Sequence, residues 1–575
     1  MVRRGPPDSH YRVESSMKRM SWMGSGLLLV VSTACGGRSV TAGPPVVAAT
    51  PNAANAGRGG RGGGRGSAVD TTRFVRTTAP SDPVIQAMYE EGMNHSQTYA
   101  LSQALFDSIG PRLTNSDRYN AGQDWLVRTY ASWGVTAKKE PWGTWSSWRR
   151  GPTHLDLISP RVRSLEAMML AWSPGTEGRD VEGDAVLLPD AKTPEDFSGA
   201  IGSLRGKFVL VSPPNPSCRM PAQWMEFGQP GAWQRDSTQR VEWAKAWQTR
   251  IDAAGGRGNQ YAWPKQAGVA GVISTNWSQY PGIDKIFGTA KQQVPTIDVT
   301  CEDYNLLYRL AEQHQGPRVR LNATSEFLGE LPVNNVIAEI RGSEKPNEYI
   351  VLSAHYDSWD GGSGATDNGT GTITMMEGLR ILKKIYPNPK RTIIVGHWGG
   401  EEQGLNGSHA YVEDHPDVVK GVYAGWNQDN GTGRVISIGP GPFVGATDRL
   451  VAWLHEVPSD ITGWIKMSAI SPPAGGGTDN ASFQCAQSPV YGLGALGWDY
   501  SWTTWHTNRD TFDKIVFEDL KNNATLVAML TYLADKDPSP LSHAAAESAM
   551  NFQGQRVNIT FNCPKAVRST AASPR

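Results

Sequence analysis

The sequence predicts an α/β protein with a separate β-rich module inserted into it. Three observations predict this. After Leu331, Tyr349 to Ala354, Arg391 to Val395, Val422 to Trp426 and Pro489 to Leu496 read as buried strands, alternating with helical patterns over Gly371 to Ile385 and Phe517 to Ala534. Before that, Ile85, Met88, Tyr89 and Met93 fall at helical spacing, as do Leu101, Leu105 and Ile109, and Ala121 to Tyr130 forms a third amphipathic stretch, so helices open the domain. Between these regions, from about Thr153, short apolar runs stand between Gly and Pro punctuation: Ala185 to Leu188, Phe208 to Val211, Val269 to Ile273 and Pro295 to Val299. The predicted organisation is therefore a main domain in two parts, 81–152 and 329–540, around an inserted module at 153–328. A partly ordered tail over 541–575, rich in Ala, Ser and Asn, follows.

A Trp-rich stretch, Gln223 to Ala254, interrupts the module. Within it Val241 to Trp247 reads as helix, and its Trp243 and Trp247, at i and i+4, read as packing residues. The N-terminus reads as an export signal over 1–35. Lys18 and Arg19 precede the apolar run Gly26 to Val31, Met17 would be a compact start, and Ser32-Thr33-Ala34-Cys35-Gly36 resembles a bacterial lipoprotein cleavage site. The expected location is thus the cell envelope, through a lipid on Cys35, or the secreted fraction. Ser32, where an aliphatic residue is usual, departs from that pattern. Residues 36–80 form a low-complexity linker, including Gly57 to Gly66 with its Arg-Gly repeats, which buries too little apolar surface to fold and reads as a flexible tether.

At 575 residues and 39% hydrophobic content the chain can bury a full core. Lys plus Arg equals Asp plus Glu at 55 each, so no excess positive field attracts a phosphate backbone, and nucleic acid is not an expected partner. Cys218, Cys301, Cys485 and Cys563 follow the export signal. An oxidising compartment permits disulfides, three pairings are open, and no Cys-x-x-Cys knuckle points to a metal.

The residues that carry chemistry cluster where the predicted strands end. His355 and Asp357 follow Ala354, Glu401 and Glu402 follow the strand of Ile393 to Val395, Asp429 follows Trp426, and His506 follows Leu496. Ligands bind at the carboxyl ends of strands in open α/β sheets, so residues far apart in the chain can converge there. Imidazoles and carboxylates without a thiolate suit zinc or a similar divalent ion. Adjacent Glu401 and Glu402 at the end of a buried strand would repel unless a cation lay nearby. His397, His409 and His415 lack such company and read as packing or surface residues. Ser363 reads as a loop residue, because Ala365 stands where a serine-hydrolase elbow needs its final Gly.

Four segments in this order resemble the M28 zinc metallopeptidase family, which includes bacterial leucine-type aminopeptidases and secreted glutamate carboxypeptidase-like enzymes. They are His355-Tyr356-Asp357 with Gly364 to Gly371, Gly400 to Ser408, Asn427-Gln428-Asp429, and Trp505 to Thr511. The resemblance covers roughly Asp82 to Asp535. It implies two Zn2+ per chain, with His355 and Asp429 on one ion, Glu402 and His506 on the other, and Asp367 bridging. Asp357 would orient His355, and Glu401 would be the general base that takes a proton from the attacking water. The fold would be a mixed β-sheet flanked by helices, the inserted module a protease-associated domain, and the activity hydrolysis of terminal peptide bonds of short peptides. Aminopeptidase action is the first expectation; carboxypeptidase or dipeptidase action on the same site, a non-catalytic receptor-like protein and a single-metal acyl-transferring cyclase are the alternatives. Gly475 to Asn480 resembles a loop lining the family's substrate cleft, with Asp479 as a candidate substrate contact. The chain departs from some relatives at Trp505, where a Tyr can steady the oxyanion; Tyr500 is the candidate replacement.

Overall fold

Strands that are buried at every position must lie inside a sheet with layers on both faces. Arg391–Trp398 and Val422–Gln428 are such strands. In this computed structural model, which describes residues 69–74, 81–256, 262–276, 280–289 and 293–572, they flank Lys345–His355 on its two sides and run parallel to it. Val490–Ala495 pairs parallel with Val422–Gln428, and Arg318–Ile340 pairs antiparallel with Arg391–Trp398, which makes the sheet mixed. The export signal, Cys35 and most of the linker lie outside the described residues.

Alternation along the strands sorts side chains into two cores. Ile350, Leu352, Ile393 and Val395 face the layer of the helices Thr370–Ile385 and Phe517–Lys536. Val351 and Ile394 face the other way, toward Tyr411 and Val412 of the helix Asn406–Asp414 and toward Phe483. A one-residue slip would exchange these faces, so the packing fixes register. It also fixes where the strands end: the parallel strands discharge His355, Glu401, Glu402 and Asp429 on one edge.

The inserted module leaves the main sheet on two long strands, Thr136–Ser159 and Arg318–Ile340, which pair antiparallel from Thr136 with Glu339 to Ser159 with Arg318. Among the described residues six short strands, Arg163–Leu165, Ala167–Met169, Val181–Leu187, Phe208–Leu210, Gly271–Ser274 and Thr296–Val299, complete it. The expected boundaries at 153 and 328 thus fall inside continuous strands. The ladder takes up Gly151-Pro152 as a register shift between Arg150 and Thr153.

Two disulfides are formed, Cys218–Cys301 and Cys485–Cys563. The second pins the segment that the sequence predicts to be only partly ordered. Arg568 adds ion pairs to Glu413 and Asp414, each at 2.9 Å, and its carbonyl accepts from the Thr144 amide at 2.8 Å. Through residue 572 the tail is therefore held against the main domain, by contacts that local composition does not encode.

His397 is a packing residue, as expected. It is fully buried, with Nε2 2.8 Å from the Tyr130 hydroxyl and Nδ1 unpartnered, and burial pushes its pKa down to about 3. A native state that refuses this proton loses stability as pH falls below the free imidazole value, until about pH 3, where the folded form also protonates. Equilibrium urea unfolding is expected to show about 2 kcal/mol less dependence on pH between pH 7 and 5 for His397→Gln than for the unsubstituted chain.

Candidate active site

His355 is the last residue of its strand and is 1% exposed. Its Nδ1 lies 3.0 Å from the Asp357 carbonyl, leaving Nε2 to face the carboxylates of Asp429 at 3.2 Å, Asp367 at 3.4 Å and Glu401 at 3.9 Å. His506, 151 positions on in the chain, brings its Nε2 to 3.0 Å from Glu402 and 3.3 Å from Asp367. The Asp367 carboxylate therefore faces both imidazoles, one oxygen to each. The structure brings together all five predicted ligand residues, with Glu401 beside them.

The elements around these side chains fix their directions. Gly399-Gly400 turns the chain after Trp398. Gly400 takes φ +70°, and a Cβ on Gly399 would strike the Tyr119 hydroxyl. The turn aims the amides of Glu401 and Glu402 at Asp357, whose two oxygens accept them at 3.2 Å each, with Thr114 Oγ1 donating at 3.0 Å. Asp357 thus orients His355 through its main-chain carbonyl, while its carboxylate, 3.7 Å from Nδ1, chiefly holds the Glu401-Glu402 turn. Asp510 does the same for Asp367: its oxygens accept the amides of Thr366 at 2.7 Å and Asp367 at 3.0 Å.

Asp510, Thr114 and Arg112 are site residues that sequence reasoning did not single out. Asp510 stands inside the His506 segment, which was a usable signal. Arg112 lies in the opening helical region with no pattern around it. Its buried guanidinium donates to the carbonyls of Gly110, Tyr356, Ser363 and Gly364, tying down the loop between His355 and Asp367.

Because Arg112 is committed to carbonyls, it leaves the carboxylates of Asp367, Glu401, Glu402 and Asp429 crowded around two imidazoles. Burial pushes Glu402 up to about 7 and Glu401 well above the carboxylate range. Burial alone would lower His506, yet the Glu402 and Asp367 carboxylates push it up to about 9. Glu402 Oε1 and His506 Nδ1 are buried without a hydrogen-bond partner among the described residues. Ligand atoms of His355, Glu401 and Asp429, and of His355, Asp367 and Glu402, lie within 4.8 Å of one another. Unpaired buried carboxylates are costly, and divalent cations held by mixed N and O donors would offset that cost. The residues present fit such ions.

Asp367, Glu401, Glu402, Asp429 and His506 line one side of a cavity of about 2670 Å³. Its other walls come from the inserted module and the Trp-rich excursion, including Trp172, Trp247, Trp263 and Phe287. Trp247 sits in the helix Ala232–Ala253 and is 5% exposed, so it packs as expected while bordering the cavity. Tyr500 also lines the cavity. Burial and the nearby Asp367, Asp429 and Glu402 carboxylates hold its phenol protonated, well above the ordinary range. Trp505 stacks on His506 with centroids 3.9 Å apart.

Asp479, the candidate substrate contact, has a wholly buried carboxylate, which burial raises to about 7. Gly475, Gly476, Gly477 and Thr478 line the cavity instead, with Thr478 Oγ1 accepting from Asn427 Nδ2 at 3.0 Å. The glycine loop turns Asp479 inward to start the short helix Asn480–Gln484.

Residues 335–531 match the family described as Peptidase family M28. Carboxypeptidase Q of Mus musculus is 24% identical over 346 residues, covering 59% of this chain and 66% of the mouse protein, so the match spans just under two thirds of that relative. A glutamate carboxypeptidase 2 homolog of Caenorhabditis briggsae is 37% identical over 121 residues, covering 20% of this chain and 15% of the relative. Among solved structures, a peptidase M28 precursor from Shewanella amazonensis shares the fold at a TM-score of 0.60 and 24% identity, covering 80% of this chain and 97% of that one. The mixed sheet, the strand-end cluster and the family match agree on a peptidase family M28 domain over residues 335–531.

Proposed function

We propose that this protein is a zinc exopeptidase that binds two ions and hydrolyses terminal peptide bonds of short peptides. The observation that carries the reading is Asp367, whose two carboxylate oxygens face His355 and His506 separately at 3.4 and 3.3 Å. His355 and Asp429 would hold one ion and Glu402 and His506 the other, with Asp367 shared. When bound, such ions supply Lewis acidity that polarises a carbonyl and makes water nucleophilic at neutral pH.

The chain's own residues do the rest. Glu401 stands farther from His355 Nε2 than Asp429 or Asp367 does, at 3.9 Å, and borders the cavity, which suits a base rather than a ligand. Its carboxylate takes the proton of the attacking water and delivers it to the leaving amine. The protonated Tyr500 phenol donates to the developing oxyanion, a role the Trp505 indole does not take while stacked on His506. Tyr500→Phe is accordingly expected to lower kcat by about 10²-fold with KM little changed, as read by steady-state kinetics.

The acids lining the cavity among the described residues are Asp367, Glu401, Glu402 and Asp429, whose charge two zinc ions would balance, so cavity charge does not itself select the aminopeptidase reading, a substrate with a free ammonium end. The names of the carboxypeptidase relatives favour the opposite polarity, for which Lys265 is the lysine or arginine lining the cavity among the described residues. Free, N-acetylated and C-amidated dipeptides, with and without chelator, decide: loss of cleavage on N-acetylation supports the first, loss on C-amidation the second, and no chelator-sensitive cleavage of any dipeptide sinks both. The two disulfides suit an exported protein. No described helix is long and apolar enough to cross a membrane. A lipid on Cys35 would supply the tether, and Cys35→Ala should then release the protein from the membrane fraction.

A further inference from the structure

We propose that the inserted module holds His506 in its working geometry, making Asp284 and Phe287 positioning residues for a ligand contributed by the other domain. The proposal rests on the reading of His506 as a metal ligand.

His506 has φ +58°. A non-glycine side chain persists in that region where its surroundings impose it. Here the surroundings come from the module. The amide of Ile286 donates to the His506 carbonyl at 2.7 Å, and the amide of Asn508 donates to the Asp284 carbonyl at 3.1 Å. These two bonds form an antiparallel bridge centred on Lys285 and Thr507. Side chains reinforce it: Asn508 Oδ1 accepts from the Asp284 amide, and Asn508 Nδ2 donates to the Asp284 carboxylate, each at 3.2 Å. The Phe287 ring meets the His506 imidazole edge-on with centroids 5.0 Å apart, and Lys285 Nζ lies 4.1 Å from the centre of the Trp505 ring.

The clamp is itself anchored. Asp298, on the module strand Thr296–Val299, accepts the Lys285 amide at 3.0 Å and the Asn276 amide at 3.0 Å. A continuous path of hydrogen bonds therefore runs from the module's sheet through Asp298 and the 284–287 segment to the backbone of His506. The same loop carries Asp510, which holds the backbone of Asp367. Arg509 to the Gly282 carbonyl at 2.6 Å and Arg150 to Asp360 at 2.6 Å join the same two parts of the chain, but the 284–287 segment is what meets the His506 backbone and ring directly. Ligand orientation by partners behind the ligand governs metal affinity, so the site at Glu402 and His506 is complete only with the module seated.

The test is zinc affinity of the full-length protein by chelator competition, with kinetics alongside. Asp284→Ala is expected to weaken one of two zinc equivalents about tenfold and to lower kcat with KM unchanged. Asp284→Asn, which can still accept from Asn508, should restore both. Asp284→Ala combined with Asn508→Ala should be no worse than the weaker single variant. Folded Asp284→Ala protein with both equivalents at normal affinity, or additive losses in the double variant, overturns the clamp. If Asp284→Ala does not accumulate folded, Phe287→Leu carries the same readout: weaker zinc supports the clamp and unchanged zinc overturns it. Absence of zinc from the unsubstituted protein overturns the functional reading as well, whereas normal zinc with an indifferent Asp284→Ala overturns the clamp alone.

Discussion

Glu401→Gln is expected to lower kcat by about 10²- to 10⁴-fold while both zinc equivalents stay bound and KM changes little. The substitution keeps the shape of the side chain and its place on the cavity wall. It removes only the capacity to accept and return a proton. The amide of residue 401 still donates to Asp357, so the turn that carries Glu402 is preserved. Kinetics with metal analysis on the same preparation separates the outcomes: near-normal turnover removes Glu401 from the proton path, and lost zinc makes it a ligand instead.

Asp367→Ala is expected to have the larger effect on metal content. It withdraws one carboxylate from both imidazoles together, leaving His355 with Asp429 and His506 with Glu402. Partners standing behind a ligand already cost about 10- to 100-fold in affinity when removed. A shared ligand should cost more, and for both ions, with turnover falling in step. Chelator competition reads the first effect and dipeptide hydrolysis the second. Loss of a single equivalent would make Asp367 an ordinary ligand of one ion.

What was legible in the sequence is what local periodicity and strand ends encode. The strands ending at Ala354, Val395 and Trp426 are mostly apolar, and the functional side chains follow within a few positions because parallel strands must end on one edge. Two features depend on long-range contacts that local sequence does not show. Gly151-Pro152 punctuates the chain, yet lies inside a strand whose partner, Arg318–Ile340, is more than 150 positions away. The tail looks unstructured by composition, but Cys485–Cys563 and the Arg568 ion pairs hold it. Arg112 was invisible for the same reason: its guanidinium binds carbonyls of residues up to 252 positions away, and any backbone offers carbonyls. Asp479 is a different case. Its neighbouring glycines line the cavity, but the direction of the side chain depends on the turn they make.

Crystals of the zinc-loaded, full-length protein, measured on both sides of the zinc absorption edge, would locate the two ions. Two anomalous peaks are predicted, one beside His355 and Asp429 and one beside Glu402 and His506, with Asp367 between them. No peak within that ring of side chains, or zinc bound only elsewhere on the molecule, would contradict the account.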